Sequence, residues 1–271
     1  MPPTATTGAP LDPLAGLPAD VVIPQLYDRH ARAIYALGRR VCRSPAEAED
    51  MVQETFFAAW DRWLQFEGRS SARSWLFTIA RRICQRMHRP RAGEPTVMES
   101  FEELLPGEEA SLPQIERRQP FSDALKAEAA ERLDRALAEL PIEFRVPLVL
   151  REVAELSIAE IAEVLDLREN TAKTRIHRGR LKLRRALESL FPAAPAVGRS
   201  QPSEVCYSLL LAKLDALDRG VDLPVSDSEL CERCRNVFAT LDLGHEACLL
   251  LAQDEVPARV EERLRERARP S

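Results

Sequence analysis

Residues 156–187 read Leu156-Ser157-Ile158-Ala159-Glu160-Ile161-Ala162-Glu163-Val164-Leu165-Asp166-Leu167-Arg168-Glu169-Asn170-Thr171-Ala172-Lys173-Thr174-Arg175-Ile176-His177-Arg178-Gly179-Arg180-Leu181-Lys182-Leu183-Arg184-Arg185-Ala186-Leu187. Ser157 followed three residues later by Glu160 is a capping box, the signature of a helix start. Ile158, Ile161, Ala162 and Leu165 then recur at i, i+3, i+4 and i+7, one apolar face of a short helix. A brief connection, Asp166–Asn170, leads into a second helix with Ala172, Ile176, Gly179, Leu183 and Leu187 inward. Between 171 and 185 there are seven lysines and arginines and no acid. Two short helices joined by a tight turn, the second strongly basic, make a helix-turn-helix whose second helix lies in the DNA major groove. Arg168, Glu169, Asn170, Thr171, Lys173 and Thr174 are placed to reach base edges, and Arg175, His177, Arg178 and Arg180 to hold phosphates. A helical hairpin with a merely solvated basic side is the plainer alternative.

Upstream, Leu133, Leu137 and Leu140 form one helix closed at Pro141, and 146–153 forms another with Pro147 in its first turn. Further back, Ser44-Pro45-Ala46-Glu47 combines an N-cap, a proline at the first helical position and a glutamate at the third. Ala48, Met51, Val52, Phe56, Ala59, Trp60 and Trp63 then line one face, with Asp50, Glu54 and Asp61 as an acidic stripe on another. After Gly68, residues 70–87 make a helix with Ala72, Leu76, Ile79, Ile83 and Met87 inward. Its other faces carry Trp75, Phe77, Thr78, Arg81, Arg82 and Arg86. Arginines interleaved with aromatics suit an unpaired nucleic-acid strand, since the cations hold phosphates and the rings stack on bases. The competing reading makes Trp75 and Phe77 plain core.

The rest of the 271 residues sets limits. Apolar content of 45% with 6% aromatics and only ten glycines argues for helices and against a sandwich or a glycine-rich nucleotide fold. No apolar run is long enough to span a bilayer and no signal-peptide pattern opens the chain, so a cytoplasmic protein with no membrane partner is expected. The net charge of −5 hides two basic blocks, 69–91 and 171–185, each without an acid. Proline marks the seams: a disordered lead-in at 1–20, an acidic linker at 90–120 with seven glutamates after residue 93, and a linker at 191–203. Three ordered parts remain, 21–89, 121–190 and 204–268.

The run from Ala48 to Trp60, the stretch Arg73 to Arg82, and the span Leu140 to Leu187 with its His177-Arg178-Gly179-Arg180 resemble regions two and four of bacterial extracytoplasmic-function (ECF) sigma factors. The resemblance covers about 21–190, in the family's order and with its linker. It implies that Asp50, Gln53 and Glu54 face the β′ clamp helices of core RNA polymerase. It also implies that Arg73, Trp75, Phe77, Arg81 and Arg82 capture the unpaired −10 strand, a base flipped from the stack helping to offset melting. The helix-turn-helix would read the −35 element of promoter DNA, with region four packed on the β flap. Asp166 and Ala172 stand where the family usually has glycine and an apolar β-branched residue.

Most such factors end near residue 190, so 204–268 is an addition. Cys231-Glu232-Arg233-Cys234 has the spacing at which two sulfurs reach one metal. Cys206 lies upstream, and His245 and Cys248 downstream. These are five candidate ligands for the four places of a closed tetrahedral site, so the choice among Cys206, His245 and Cys248 stays open. Soft thiolates select zinc, copper(I) or cadmium. Cys42 and Cys84, in apolar helical runs, read as core. The spacing of Cys206 and the CxxC resembles a zinc-binding anti-sigma module, with Asp227 where that module has histidine. The whole layout is similar to the CorE-type metal-responsive sigma factors.

The reading is an all-α chain: two helical sigma domains, the second a helix-turn-helix, and a small cysteine-rich helical domain. No activated nucleophile, carboxylate pair or phosphate loop stands out, so no enzymatic activity is expected. A regulatory tail in the same chain would make a separate anti-sigma factor unnecessary. A free-standing helix-turn-helix regulator, and control by thiol redox rather than metal, are the alternatives.

Overall fold

The computed structural model describes residues 12–42, 44–87, 111–113, 121–195, 202–226 and 228–267. They fall into two compact units: one draws on 1–89, 163–166 and 254–271, the other on 90–162 and 167–253.

In the first unit, α1 (Ala19–Val41) and α2 (Pro45–Arg62) pack on each other, and α3 (Ala72–Met87) packs against both. Ser44 accepts a hydrogen bond from the Glu47 backbone N–H at 3.2 Å, so α2 starts where the capping residues stand. Ala48, Met51, Val52, Phe56 and Ala59 are buried, as their spacing predicts. Gly38 lets α1 approach this closely, because a Cβ there would meet Ala48 at 3.0 Å. Part of the lead-in expected to be disordered is instead an ordered strap. Asp12 accepts hydrogen bonds from the Leu14 and Ala72 backbone N–H groups, each at 2.8 Å, capping α3 from 60 residues away. The Leu17 carbonyl accepts from the Trp63 indole at 2.7 Å. Residues 1–11 and most of the acidic linker lie outside the described residues, as does the Met87 side chain.

The second unit is built from α4 (Asp123–Glu139), α5 (Ile142–Glu152), α6 (Ile158–Leu165) and α7 (Glu169–Glu188), then α8 (Ser203–Arg219) and α9 (Glu232–Leu251). Residues 163–166, at the end of α6, group with the first unit. α5 starts at Ile142, four residues before the expected start, with Pro147 inside it. The 157–160 capping box forms both of its bonds, Glu160 N–H to Ser157 Oγ at 3.2 Å and Ser157 N–H to Glu160 Oε2 at 2.8 Å. Asp166 turns the chain with φ of +55°, the left-handed conformation that aspartate tolerates better than most residues. Gly179 is needed for packing, because a Cβ there would meet Leu148 at 3.0 Å.

The tail is not a separate appendage of this unit. α9 packs along α4 and α7, and α8 closes a core in which Leu181 of α7 meets Leu210, Leu214, Phe238 and Leu241. Apart from the helices, Ser111–Pro113 (β1) pairs antiparallel with Ala193–Pro195 (β2). That short ladder ties the two proline-rich seams together.

Candidate nucleic-acid interface and thiol site

At 3.6 residues per turn, the polar residues of α7 fall on two stripes about 120° apart. Asn170, Thr171, Thr174, Arg175 and Arg178 line an open hollow with Glu143 and Phe144. Arg168 is the exposed N-cap residue. Lys173, His177 and Arg180 form the second stripe, and the tail helix α8 occupies it. Lys173 Nζ lies 2.8 Å from Asp215 Oδ1, His177 Nε2 lies 2.7 Å from Asp218 Oδ2, and Arg180 Nη1 donates to Asp218 Oδ1 at 2.5 Å. Two expectations therefore change. His177 and Arg180 are buried and committed to carboxylates, so neither side chain is presented to a phosphate in this conformation.

Behind Arg180 the network continues into the bundle. Arg180 Nε donates to Glu152 Oε1 at 2.7 Å, and His245 Nδ1 lies 2.7 Å from Glu152 Oε2. Burial pushes the Glu152 carboxyl up, but Arg180 and His245 outweigh it and hold the group at about 2. Asp218 is likewise penalised by burial and brought below the ordinary range by His177 and Arg180. The hydrogen bond to Glu152 raises His245 against the opposing effect of burial. His177, Asp215 and Asp218 are close enough to surround a cation. Lys173 and Arg180 already neutralise those carboxylates, so the cluster is an ion-pair network.

The thiols meet at the other end of α8. Sulfurs of Cys206 on α8, Cys231 at the N-cap of α9 and Cys234 in its first turn all lie within 4.8 Å of one another. Cys206 and Cys231 are 3.8 Å apart, and all three residues are buried. Burial raises the Cys206 and Cys234 thiols, and neighbouring sulfurs raise Cys234 further. The donor set fits a thiophilic ion, since three soft sulfurs converge on one point. The other two expected ligands stand elsewhere. α9 runs unbroken from 232 to 251, and at 1.5 Å per residue it carries His245 and Cys248 about 17 and 21 Å along from Cys234. His245 serves Glu152, and Cys248 lines a small cavity beside Glu152 and Arg180.

In the first unit, Asp50 and Glu54 are exposed on α2, with Arg86 Nη2 donating to Glu54 at 3.1 Å. Trp75 packs edge-on to Trp63, centroids 5.6 Å apart, and against Phe66 at 5.3 Å. It stays half-buried, and Arg73 and Arg81 are half-buried beside an exposed Arg82. Phe77 corrects the expectation: it is fully buried, so its ring fills the core and cannot stack on a base.

Comparison with known proteins fits this anatomy. The model of Sigma-70 region 2 matches residues 26–93, and that of Sigma-70 region 4 matches 130–183. The ECF RNA polymerase sigma factor SigW of Bacillus subtilis is 31% identical over 174 residues, 64% of this chain and 89% of SigW. The chain belongs to the ECF sigma factor family. The sigma factor YlaC of the same organism is 32% identical, over 60% of this chain and 90% of YlaC. A solved structure of CnrH in complex with the cytosolic domain of CnrY is 26% identical, covering 63% of this chain and 93% of that one, with a TM-score of 0.45. As a sigma factor the protein is a transcription initiation factor and not an enzyme. Among the described residues no helix is long and apolar enough to cross a membrane.

Sequence reading missed Asp215 and Asp218 of this sigma factor, although their i, i+3 spacing puts both on one face of α8. It also missed Glu152, an acid amid apolar neighbours, which is the pattern of a buried charge with a partner elsewhere.

Proposed function

We propose that this sigma factor directs core RNA polymerase to its promoters under the control of a thiophilic ion held by Cys206, Cys231 and Cys234. The observation that carries the reading is that α8 bears both Cys206 and the two aspartates that grip α7. A change at the thiols therefore acts on the same rigid helix that holds Lys173, His177 and Arg180. The aspartates also set negative charge beside the recognition helix, where DNA phosphates must come. When bound, the ion ties α8 to the start of α9 and takes the place of thiol protons. Zinc, copper(I) and cadmium are the candidates.

In this reading residues 121–190 read the −35 element. Arg168, Asn170, Thr171 and Thr174 face bases, Arg175 and Arg178 face phosphates, and Lys173 joins them once Asp215 lets go. Residues 21–89 take up the polymerase through Asp50, Gln53 and Glu54, and hold the −10 strand through Arg73, Trp75, Arg81 and Arg82. The tether after α7 keeps the tail at high effective concentration, so no separate anti-sigma factor is required. The site of action is the cytoplasm, with the polymerase. The 3.8 Å separation of Cys206 and Cys231 also suits a disulfide, which makes thiol redox the second reading.

Run-off transcription with purified core polymerase tests the proposal. Transcripts that start at one position and require this chain support it. DNA binding without any transcript would make the protein a free-standing regulator.

A further inference from the structure

The last helix, α10 (Ala258–Arg267), lies on α2 within the first unit. Arg259 grips Glu49 with two parallel bonds, Nε to Oε2 and Nη2 to Oε1, each at 2.5 Å. Arg263 Nη1 donates to Gln53 Oε1 at 3.0 Å. Both pairs are spaced i, i+4, so one row of arginines on α10 matches one row of acceptors on α2. Upstream, Arg40 of α1 pairs with Asp254 and fixes where the segment enters. The Glu49 side chain retains only 12% exposure, against 65% for Arg259, so the arginine covers the acid while itself facing water.

The apolar part of this contact is small. Val260 is the one buried hydrophobic residue of α10 among those described, with Leu264 half-buried. One ion pair and one hydrogen bond from water-facing arginines, around a single apolar anchor, make a contact that holds when tethered and yields to a competitor. Glu49 and Gln53 adjoin Asp50 and Glu54 on the same helix. A basic partner surface docking there would need the places that Arg259 and Arg263 now take.

We propose that α10 is a tethered competitor for the face of α2 that takes up core polymerase, with Arg259 and Arg263 standing in for the partner's basic side chains. The proposal rests on the reading of Asp50, Gln53 and Glu54 as the polymerase surface. It adds a second cover to the one α8 lays on α7, and this one uses no thiol. If the docked form holds about 90% of the molecules, undocking it tightens polymerase binding about tenfold, since apparent affinity scales with the competent fraction.

The experiment measures binding of core RNA polymerase to the labelled full-length chain and three variants. Arg259→Gln with Arg263→Gln removes the bidentate grip, and Val260→Asp removes the apolar anchor by an independent route. Asp50→Arg with Glu54→Arg tests the surface itself. Circular dichroism checks that each variant keeps its helicity. Tightening of about tenfold in both undocked variants, with loss of binding in the Asp50/Glu54 variant, supports the proposal. Loss in the Asp50/Glu54 variant without tightening in either undocked variant overturns the α10 assignment and leaves the polymerase surface standing. Unchanged binding in the Asp50/Glu54 variant overturns the surface reading, and the proposal with it.

Discussion

Replacing Asp218 by asparagine tests whether α8 is held to α7 by charge. Asp218 is 5% exposed and accepts from Arg180 at 2.5 Å while lying 2.7 Å from His177 Nε2. Each bond to a charged group contributes about 1.5–3 kcal/mol. Arg180 keeps Glu152 as a partner, so the substitution does not strand a bare buried cation. The loss should therefore sit near the low end for a broken buried pair, about 3 kcal/mol. At roughly 2–4 °C per kcal/mol for a chain of this size, melting should fall by about 6–12 °C. Asp215→Asn is the internal control. Its pair with Lys173 is 36% and 44% exposed on the two sides, where solvent screening limits the effect to about 1 kcal/mol or less. Chemical denaturation of both variants, of His177→Ala and of the His177→Ala, Asp218→Asn double variant completes a double-mutant cycle that gives the coupling of His177 to Asp218 directly. Equal losses for Asp215→Asn and Asp218→Asn, or no coupling between His177 and Asp218, would refute the buried-network account.

His245, raised by Glu152, contributes stability that is fully present below its unfolded value of 6.5 and lost as pH rises through its folded value. Urea midpoints should therefore decline on the alkaline side of 6.5, and His245→Ala should flatten that slope. Glu152 behaves oppositely: its contribution is present above 4.5 and disappears only as pH falls toward about 2, so mild acid should leave the bundle folded. Charge reversal at Arg175 and Arg178 should weaken promoter-duplex binding across sequences and flatten its salt dependence, by roughly 0.9 in log–log slope per lost phosphate contact. Gly179→Ala puts a Cβ 3.0 Å from Leu148 and should destabilise the unit by about 1–3 kcal/mol, read as a lower denaturation midpoint.

Much of the architecture was legible because local signals and tertiary packing agree. Both capping boxes start helices where expected, and the inward rows of α2 and α7 are buried, the half-buried Trp60 excepted. Cys231 and Cys234 were readable from their spacing, and Cys206 joins them in space. His245 and Cys248 misled because an i, i+3 pair shows which side of a helix it faces, not how far along that helix it stands. The roles of His177 and Arg180 were hidden because periodicity cannot tell a basic residue facing DNA from one facing an acid that arrives 35 or more residues later. Phe77 shows the same ambiguity for rings. The strap through Asp12 was obscured by the prolines around it, since its bonds reach residues far along the chain.

The central claim, that the thiol site governs promoter use, is tested most directly by run-off transcription from one promoter. Wild-type protein and the Cys206→Ser, Cys234→Ser double variant are titrated in parallel with zinc, copper(I) or cadmium, while tail-bound metal is measured. The account predicts that one of these ions changes wild-type transcription in step with its binding, and that the double variant neither binds it nor responds. An identical metal response from both proteins would contradict it.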